Sequence, residues 1–291
     1  MKRLLPAVFV FLLLVSCVTR PEISSSDALG WLPPESDILV RMTIEGNETL
    51  AEFVAAAAGF DESSVASLTK RTTALAAGLE LQENDAPSLL HVVAVGAWPR
   101  SFLGTALGRD WKSRGLFSYV WDGPEGVELA VPSRQVAFYS NGRSEEMSRR
   151  REDSAGVETP RRAGDFGAGA DLVLWMTSPR AVAQAFPMLP SGDRSPVESA
   201  VLALRRVEGG YALSLRIYPA SERLAGSLAL ALRLGLSARF GISPFAEERA
   251  LLTTMTARAE AGEVRLEIPE IPMSVLQRIM SQMVSAEEDD A

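Results

Sequence analysis

Asp37-Ile-Leu-Val-Arg-Met-Thr43 and Asp171-Leu-Val-Leu-Trp-Met-Thr177 decide the fold. Each is a short apolar run that reads as a strand, closes on Met-Thr and is followed by a helix-like segment. The second stands 134 residues after the first. Two further matches run in the same order. Trp98-Pro99-Arg100-Ser101 resembles Tyr218-Pro219-Ala220-Ser221 at an offset of 120, and Val127-Glu-Leu-Ala-Val-Pro132 resembles Val264-Arg-Leu-Glu-Ile-Pro269 at an offset of 137. Three collinear matches predict a tandem duplication.

The local patterns around these anchors predict an α+β fold: tandem duplicated units with mostly antiparallel sheets and helices packed on one face. In the first unit Asn47 is an N-cap for a helix carrying Leu50, Phe53, Val54 and Ala57, with Gly59 beyond its end. A second helix is expected from about Ser63, with Val65, Leu68, Thr72 and Leu75 on one side and a stop at Gly78. Leu89 to Val95 reads as an internal strand. Phe117, Tyr119 and Trp121 alternate into a turn at residues 122–126, and Val127, Leu129 and Val131 alternate out, which is a hairpin. In the second unit the equivalent hairpin joins Leu252–Ala259 to Glu263–Ile268 through Ala261-Gly262.

Two segments carry more than one reading. Leu228, Leu230, Leu232, Leu234 and Leu236 alternate like a strand, but Ala229, Ala231 and Arg233 between them favour a helix with leucines around most of its circumference. Such a helix is buried between layers or contacts another subunit. From Ile271 to Val284, Pro272 suits a first helical position, and Val275, Leu276, Ile279, Met280 and Met283 form one apolar stripe, which fits a core or, being rich in Met, an adaptable binding face; core packing is the expectation.

The N-terminus supplies an address. Lys2 and Arg3 precede the apolar run Leu4–Val15, a signal-peptide core too short to span ~30 Å of hydrocarbon as a helix. That run ends in Leu14-Val15-Ser16-Cys17, which resembles the lipobox of bacterial lipoproteins, and the Cys is the only one in the chain. The resemblance implies that Cys17 is the lipid attachment site, that cleavage falls before it, and that palmitate-class acyl chains tether the protein to the cell envelope. Val18 stands where an Asp would resemble the inner-membrane retention signal, so the expected location is the periplasmic face of the outer membrane. Removing residues 1–16 takes Lys2 and Arg3 from 29 basic residues set against 37 acidic ones, leaving a formal balance of -10. An anionic leaflet repels such a body, so acyl chains must do the tethering.

The expected organisation is therefore signal peptide 1–16, anchor and tether 17–29, first unit 30–146, linker 147–166, second unit 167–285 and acidic tail 286–291. Folding is expected to begin near Trp31. The linker carries Arg149, Arg150, Arg151, Arg161 and Arg162 among acids and glycines, and reads as exposed. Trp31-Leu-Pro-Pro-Glu-Ser-Asp37 resembles the opening of uncharacterised bacterial envelope proteins of unknown function, which implies no activity.

Composition excludes several chemistries. The balance is too acidic to track nucleic acid, and one Cys with one His cannot build a Cys/His zinc site. His91 sits inside an apolar strand, reads as a satisfied core or strand-end residue, and has no Gly-x-Ser-x-Gly partner. Ser67-Leu-Thr-Lys70, with Tyr139-Ser-Asn141 downstream, resembles the first two motifs of penicillin-binding proteins and β-lactamases. The third, Lys-Thr/Ser-Gly, is missing from a chain whose lysines are Lys2, Lys70 and Lys112. Gly164-Asp-Phe-Gly-Ala-Gly169 precedes a strand, the reverse of a dinucleotide loop. No catalytic, metal or cofactor residue is nominated. The expected function is a non-catalytic binding or scaffolding role, with an unknown envelope protein or ligand as partner. The alternatives are a hydrolase or transferase with a carboxylate or Ser site, and an apolar-ligand carrier whose groove lies between the halves.

Overall fold

In the computed structural model the described residues are 28–57, 69–82, 88–98, 110–115, 119–142, 147, 166–186, 189 and 195–279. In chain order they form β1 (Ile38–Thr43), α1 (Glu48–Ala57), β2 (Thr72–Glu80), β3 (Leu89–Gly96), β4 (Lys112–Ser113), β5 (Val120–Asp122), β6 (Glu128–Ser133) and β7 (Val136–Ser140). There follow β8 (Leu172–Met176), α2 (Pro179–Ala185), β9 (Val197–Val207), β10 (Gly210–Pro219), α3 (Ala225–Gly241), α4 (Ala246–Thr254), β11 (Thr256–Glu260) and β12 (Glu263–Pro272). A helical stretch, α5, occupies 273–279. The protein is thus mixed α+β, but among the described residues one continuous sheet of 12 strands stands where two were expected, in the order β11-β12-β10-β9-β8-β1-β2-β3-β7-β6-β5-β4. Every pairing is antiparallel.

The two strands quoted at the outset lie side by side at the middle. Leu39 faces Trp175, Val40 faces Leu174 and Arg41 faces Val173. Thr43 N donates to Asp171 O at 2.7 Å and Thr177 N donates to Asp37 O at 2.8 Å, so each strand's last residue closes on the other's first. The two Asp side chains act alike: Asp37 Oδ2 accepts from Leu81 N at 2.9 Å, and Asp171 Oδ2 from Arg206 N at 2.6 Å. The seam between halves is therefore a closed hydrogen-bonded ladder, and each of its ends is fixed by a carboxylate that also satisfies the next strand.

Outward from the seam, β1-β2-β3-β7-β6 runs one way and β8-β9-β10-β12-β11 the other. Leu39 faces Gly78 as Val173 faces Ala203. Thr72/Gly96 and Ala74/Val95 flank a bulge between β2 and β3, and Val197/Pro219 and Ser199/Tyr218 flank one between β9 and β10. This register corrects two of the sequence matches. Tyr218-Pro219 holds the place of Val95-Gly96, not that of Trp98-Pro99, whose Trp98 comes after the end of β3. Likewise β12 holds the place of β7, so Val127–Pro132 and Val264–Pro269 do not correspond, and the partner of the β11–β12 hairpin is β6–β7 rather than β5–β6. Apolar alternation recurs in every half-buried strand, so a short match slides easily from one strand to its neighbour.

The expected helix ending at Gly78 is also corrected. Residues 58–68 lie outside the described set, but Thr72–Glu80 is strand β2. Its alanines favour a helix by propensity, yet Thr72, Ala74, Ala76, Gly78 and Glu80 alternate into the interior with period two. The β5–β6 hairpin forms as expected, around a 3₁₀ turn at Pro124–Gly126.

The sheet is covered on both faces. On one, Met42, Met176, Leu204, Leu215, Val264 and Leu266 pack against Leu50 and Ala51 of α1, Val182 of α2, Leu228 and Leu232 of α3, Leu251 of α4 and Val275 of α5. On the other, Leu39, Val93, Phe138, Trp175 and Val201 pack against Ala28, Leu29, Leu32 and Met147. The packed body thus takes in Ala28 and Leu29, expected in the tether, and Met147, expected in the linker; all three are apolar and buried. The rest of the expected linker, 148–165, lies outside the described residues, as do the signal peptide and the acidic tail.

Candidate functional site

The sole imidazole lies on β3 and is fully buried, as the sequence reading placed it, but its partners were not foreseen. His91 Nδ1 is 2.9 Å from Ser140 Oγ on β7, and Nε2 is 3.2 Å from Glu80 Oε1 on β2. The register explains the meeting: His91 stands between Gly78 and Ser140 in the ladder, and Glu80 is the next residue of β2 on the same face. One ring nitrogen thus meets a hydroxyl and the other a carboxylate. A hydrolase triad likewise joins its imidazole to a carboxylate and a Ser hydroxyl, but that hydroxyl is open to substrate. Here Ser140 is fully buried, and its Oγ also accepts Gly142 N–H at 3.2 Å. The arrangement braces three strands. Two small residues on β2 and β7 and one Glu were the only signal for it, and nothing in a linear reading joins them.

The lactamase-like pair does not assemble. Lys70 precedes the β2 residue that faces Gly96, whereas Ser140 faces His91; five residues of β3 separate those places, roughly 17 Å at ~3.4 Å each. Ser67 lies outside the described residues. Among the described residues no group of three or more His, Cys, Asp or Glu is placed to hold a metal.

The feature that sets this surface apart is on α3. Helical propensity wins over the Leu alternation, so the segment is a helix as expected, but its leucines divide. Leu228 and Leu232 enter the core, whereas Leu230 is 57% and Leu234 61% exposed. At the same four-residue spacing Ala238 is exposed and Ile242, just beyond the helix, is 85% exposed. Phe245, 42% exposed, follows in the turn to α4. Side chains four apart stack on one helix face, so these residues form an apolar ridge with Arg233 and Arg239 beside it and no acid within α3. Of the two readings, burial between layers thus holds for only part of the helix, the part that packs against β10, β11, β12 and α4. A four-residue spacing within Leu230-Leu234-Ala238-Ile242 was present in the sequence, hidden by the leucines interleaved with it. Among the described residues no helix is long and apolar enough to cross a membrane. Cys17, the one nominated attachment site, lies outside them.

No family model and no curated protein matches the sequence. Among solved structures the chain is similar over nearly its whole length to TP0453, a Treponema protein. Against crystal form I the identity is 14% and the TM-score 0.64, covering 91% of this chain and 100% of that one. Against form III the values are 13% and 0.63, covering 91% and 99%, and against form IV 12% and 0.59, covering 92% and 98%. At such identity the likeness is one of fold: this chain has the fold of TP0453.

Proposed function

We propose that this protein is an envelope lipoprotein, tethered through lipid on Cys17, whose role is non-catalytic binding at the membrane surface, with the α3 ridge as the face that docks. The observation that carries the reading is the exposed row Leu230, Leu234, Ala238, Ile242 and Phe245 in a chain whose N-terminus resembles a lipobox. Single exposed leucines need no explanation, but a continuous row of them marks an interaction surface. The body as a whole is acidic, but α3 places Arg233 beside the ridge with no acid in the helix, and at the tip Glu247 and Glu248 are engaged by Arg278, so the flank along α3 suits phosphate headgroups.

The finer reading of the fold is a tandem duplication, with β1, β2, β3, β6 and β7 corresponding to β8, β9, β10, β11 and β12. Its support is the register, which repeats pair for pair through the bulge, and the matched Asp37 and Asp171 contacts. The polar trio does not repeat: in that correspondence Ser214 and Glu267 stand where His91 and Ser140 are. A carrier groove at the junction finds no support from the seam, which is a strand ladder.

The test uses the acylated protein on vesicles. Cys17 is consumed by lipid, so Ala238→Cys provides the one free thiol for an environment-sensitive fluorophore. Quenching of that label by spin-labelled lipid is expected. A label that stays in water on anchored protein overturns the docking face.

A further inference from the structure

We infer that Arg278 is a positioning residue for the apolar tip: acting through Glu248, it holds the turn between α3 and α4 so that Ile242 and Phe245 face outward together at the end of the ridge. The inference rests on the docking reading above and concerns how that face is built. Glu248 is a carboxylate only 1% exposed, and such a group is tolerated only when partnered. Its Oε2 accepts the Ser243 hydroxyl at 2.7 Å, and its Oε1 accepts Arg278 Nε at 3.1 Å. Arg278 Nη2 also donates to Glu247 Oε2 at 2.8 Å, and the guanidinium carbon lies 4.3 Å from the centre of the Phe245 ring.

Ser243 is the residue on which these contacts converge, and it sits between the two exposed apolar side chains. Its hydroxyl donates to Glu248 and accepts Phe245 N–H at 3.2 Å, while its carbonyl accepts Arg249 Nη1 at 2.6 Å. The turn Ile242-Ser-Pro-Phe245 is thus pinned from below by a charged base. Here the place beneath the turn is filled by Glu248, Ser243 and Arg278, so the apolar chains have nowhere inside to go. The tip is ordered before it meets anything, which removes an ordering cost from docking.

The experiment compares two labels on the full acylated chain in vesicles of phosphatidylethanolamine and phosphatidylglycerol containing spin-labelled lipid. Ala246→Cys reports the tip and Ala238→Cys the ridge. In the otherwise native protein both are quenched. Arg278→Met is expected to lower quenching at 246 several-fold while quenching at 238 persists. Arg278→Lys keeps the charge without the planar fork and lies between. A purely stabilising Arg278 lowers the melting midpoint and leaves the ratio of the two signals unchanged, and that result overturns the inference. Should Arg278→Met fail to fold, Glu248→Gln with Arg278→Met removes the buried charge together with its partner, and the same ratio decides. Loss of both signals in the otherwise native protein overturns the docking reading itself, before any change at Arg278 is made.

Discussion

Replacing Leu230 and Leu234 by Ala separates a docking face from a core. The two side chains are 57% and 61% exposed, so the folded body loses little packing, and Ala keeps the helix at its best propensity. Stability is expected to stay within about 0.5 kcal/mol of the parent. Docking is another matter. Each change removes three carbons, worth about 0.8 kcal/mol apiece when taken from water, and just over half of that surface is open to the solvent. This gives about 1.4 kcal/mol per site and about 3 kcal/mol for the pair, on the order of a 100-fold fall in the docked-to-free ratio. The readout is lipid quenching of the label at 238 on the anchored chain, with thermal unfolding followed in parallel. Leu232→Ala is the control: Leu232 is fully buried on the same helix, so that change costs about 2–5 kcal/mol of stability. Unchanged quenching in the double variant, or a stability loss as large as that of Leu232→Ala, refutes the assignment of the ridge.

Three further outcomes follow from particular contacts. Asn47 is buried, with Nδ2 donating to Asp171 Oδ1 at 3.0 Å and Oδ1 accepting the Tyr211 hydroxyl at 2.8 Å, so Asn47→Ala is expected to cost about 1–3 kcal/mol in chemical denaturation; an unchanged midpoint contradicts the account of the seam. A Cβ on Gly78 falls 2.6 Å from Ser36 Oγ, which is buried and donates to Pro33 O, so Gly78→Ala is expected to lower stability by about 1–3 kcal/mol; a neutral result means that the 28–36 segment packs more loosely on the sheet than the contacts indicate. Burial pushes the Glu248 carboxyl up, but the Ser243 hydroxyl and the Arg278 guanidinium outweigh it and hold the group below the usual carboxylate range. Its stabilisation is therefore present above the unfolded value of ~4.3 and lost as pH falls through the lower folded value, so parent and Glu248→Gln should differ most near neutrality and converge in acid. A gap that widens in acid reverses the sign and contradicts the assignment.

Much of the central sheet was legible because its strands are apolar runs bounded by polar or Pro-containing turns. The Asp37 and Asp171 runs both form strands, as expected, and pair with each other at the middle of the sheet, where their flanking Asp and Thr close the ladder. Trp98-Pro99 and Val127–Pro132 were matched to the wrong strands, because alternation without such flanks fits any neighbour. Strand β2 was missed for a different reason. Its face-setting residues are Thr, Ala, Ala, Gly and Glu, which carry little hydrophobic signal, and small residues suffice there because the 28–36 segment lies close above. His91 was correctly placed in the interior, but Glu80 and Ser140 come to it through strand register, a long-range property. The exposed ridge was present as a spacing, but which leucines face outward depends on how the helix packs against β10, β11, β12 and α4, a long-range property.

The lipid anchor is the claim on which the functional reading stands, and mass spectrometry of the mature N-terminal peptide from the native envelope tests it most directly. The expected peptide begins at Cys17 and carries a diacylglyceryl thioether with a further acyl chain on the new amine, and Cys17→Ala yields neither cleavage before residue 17 nor the added mass. An N-terminal peptide with an unmodified Cys17, or with Ser16 still joined to it, contradicts the account.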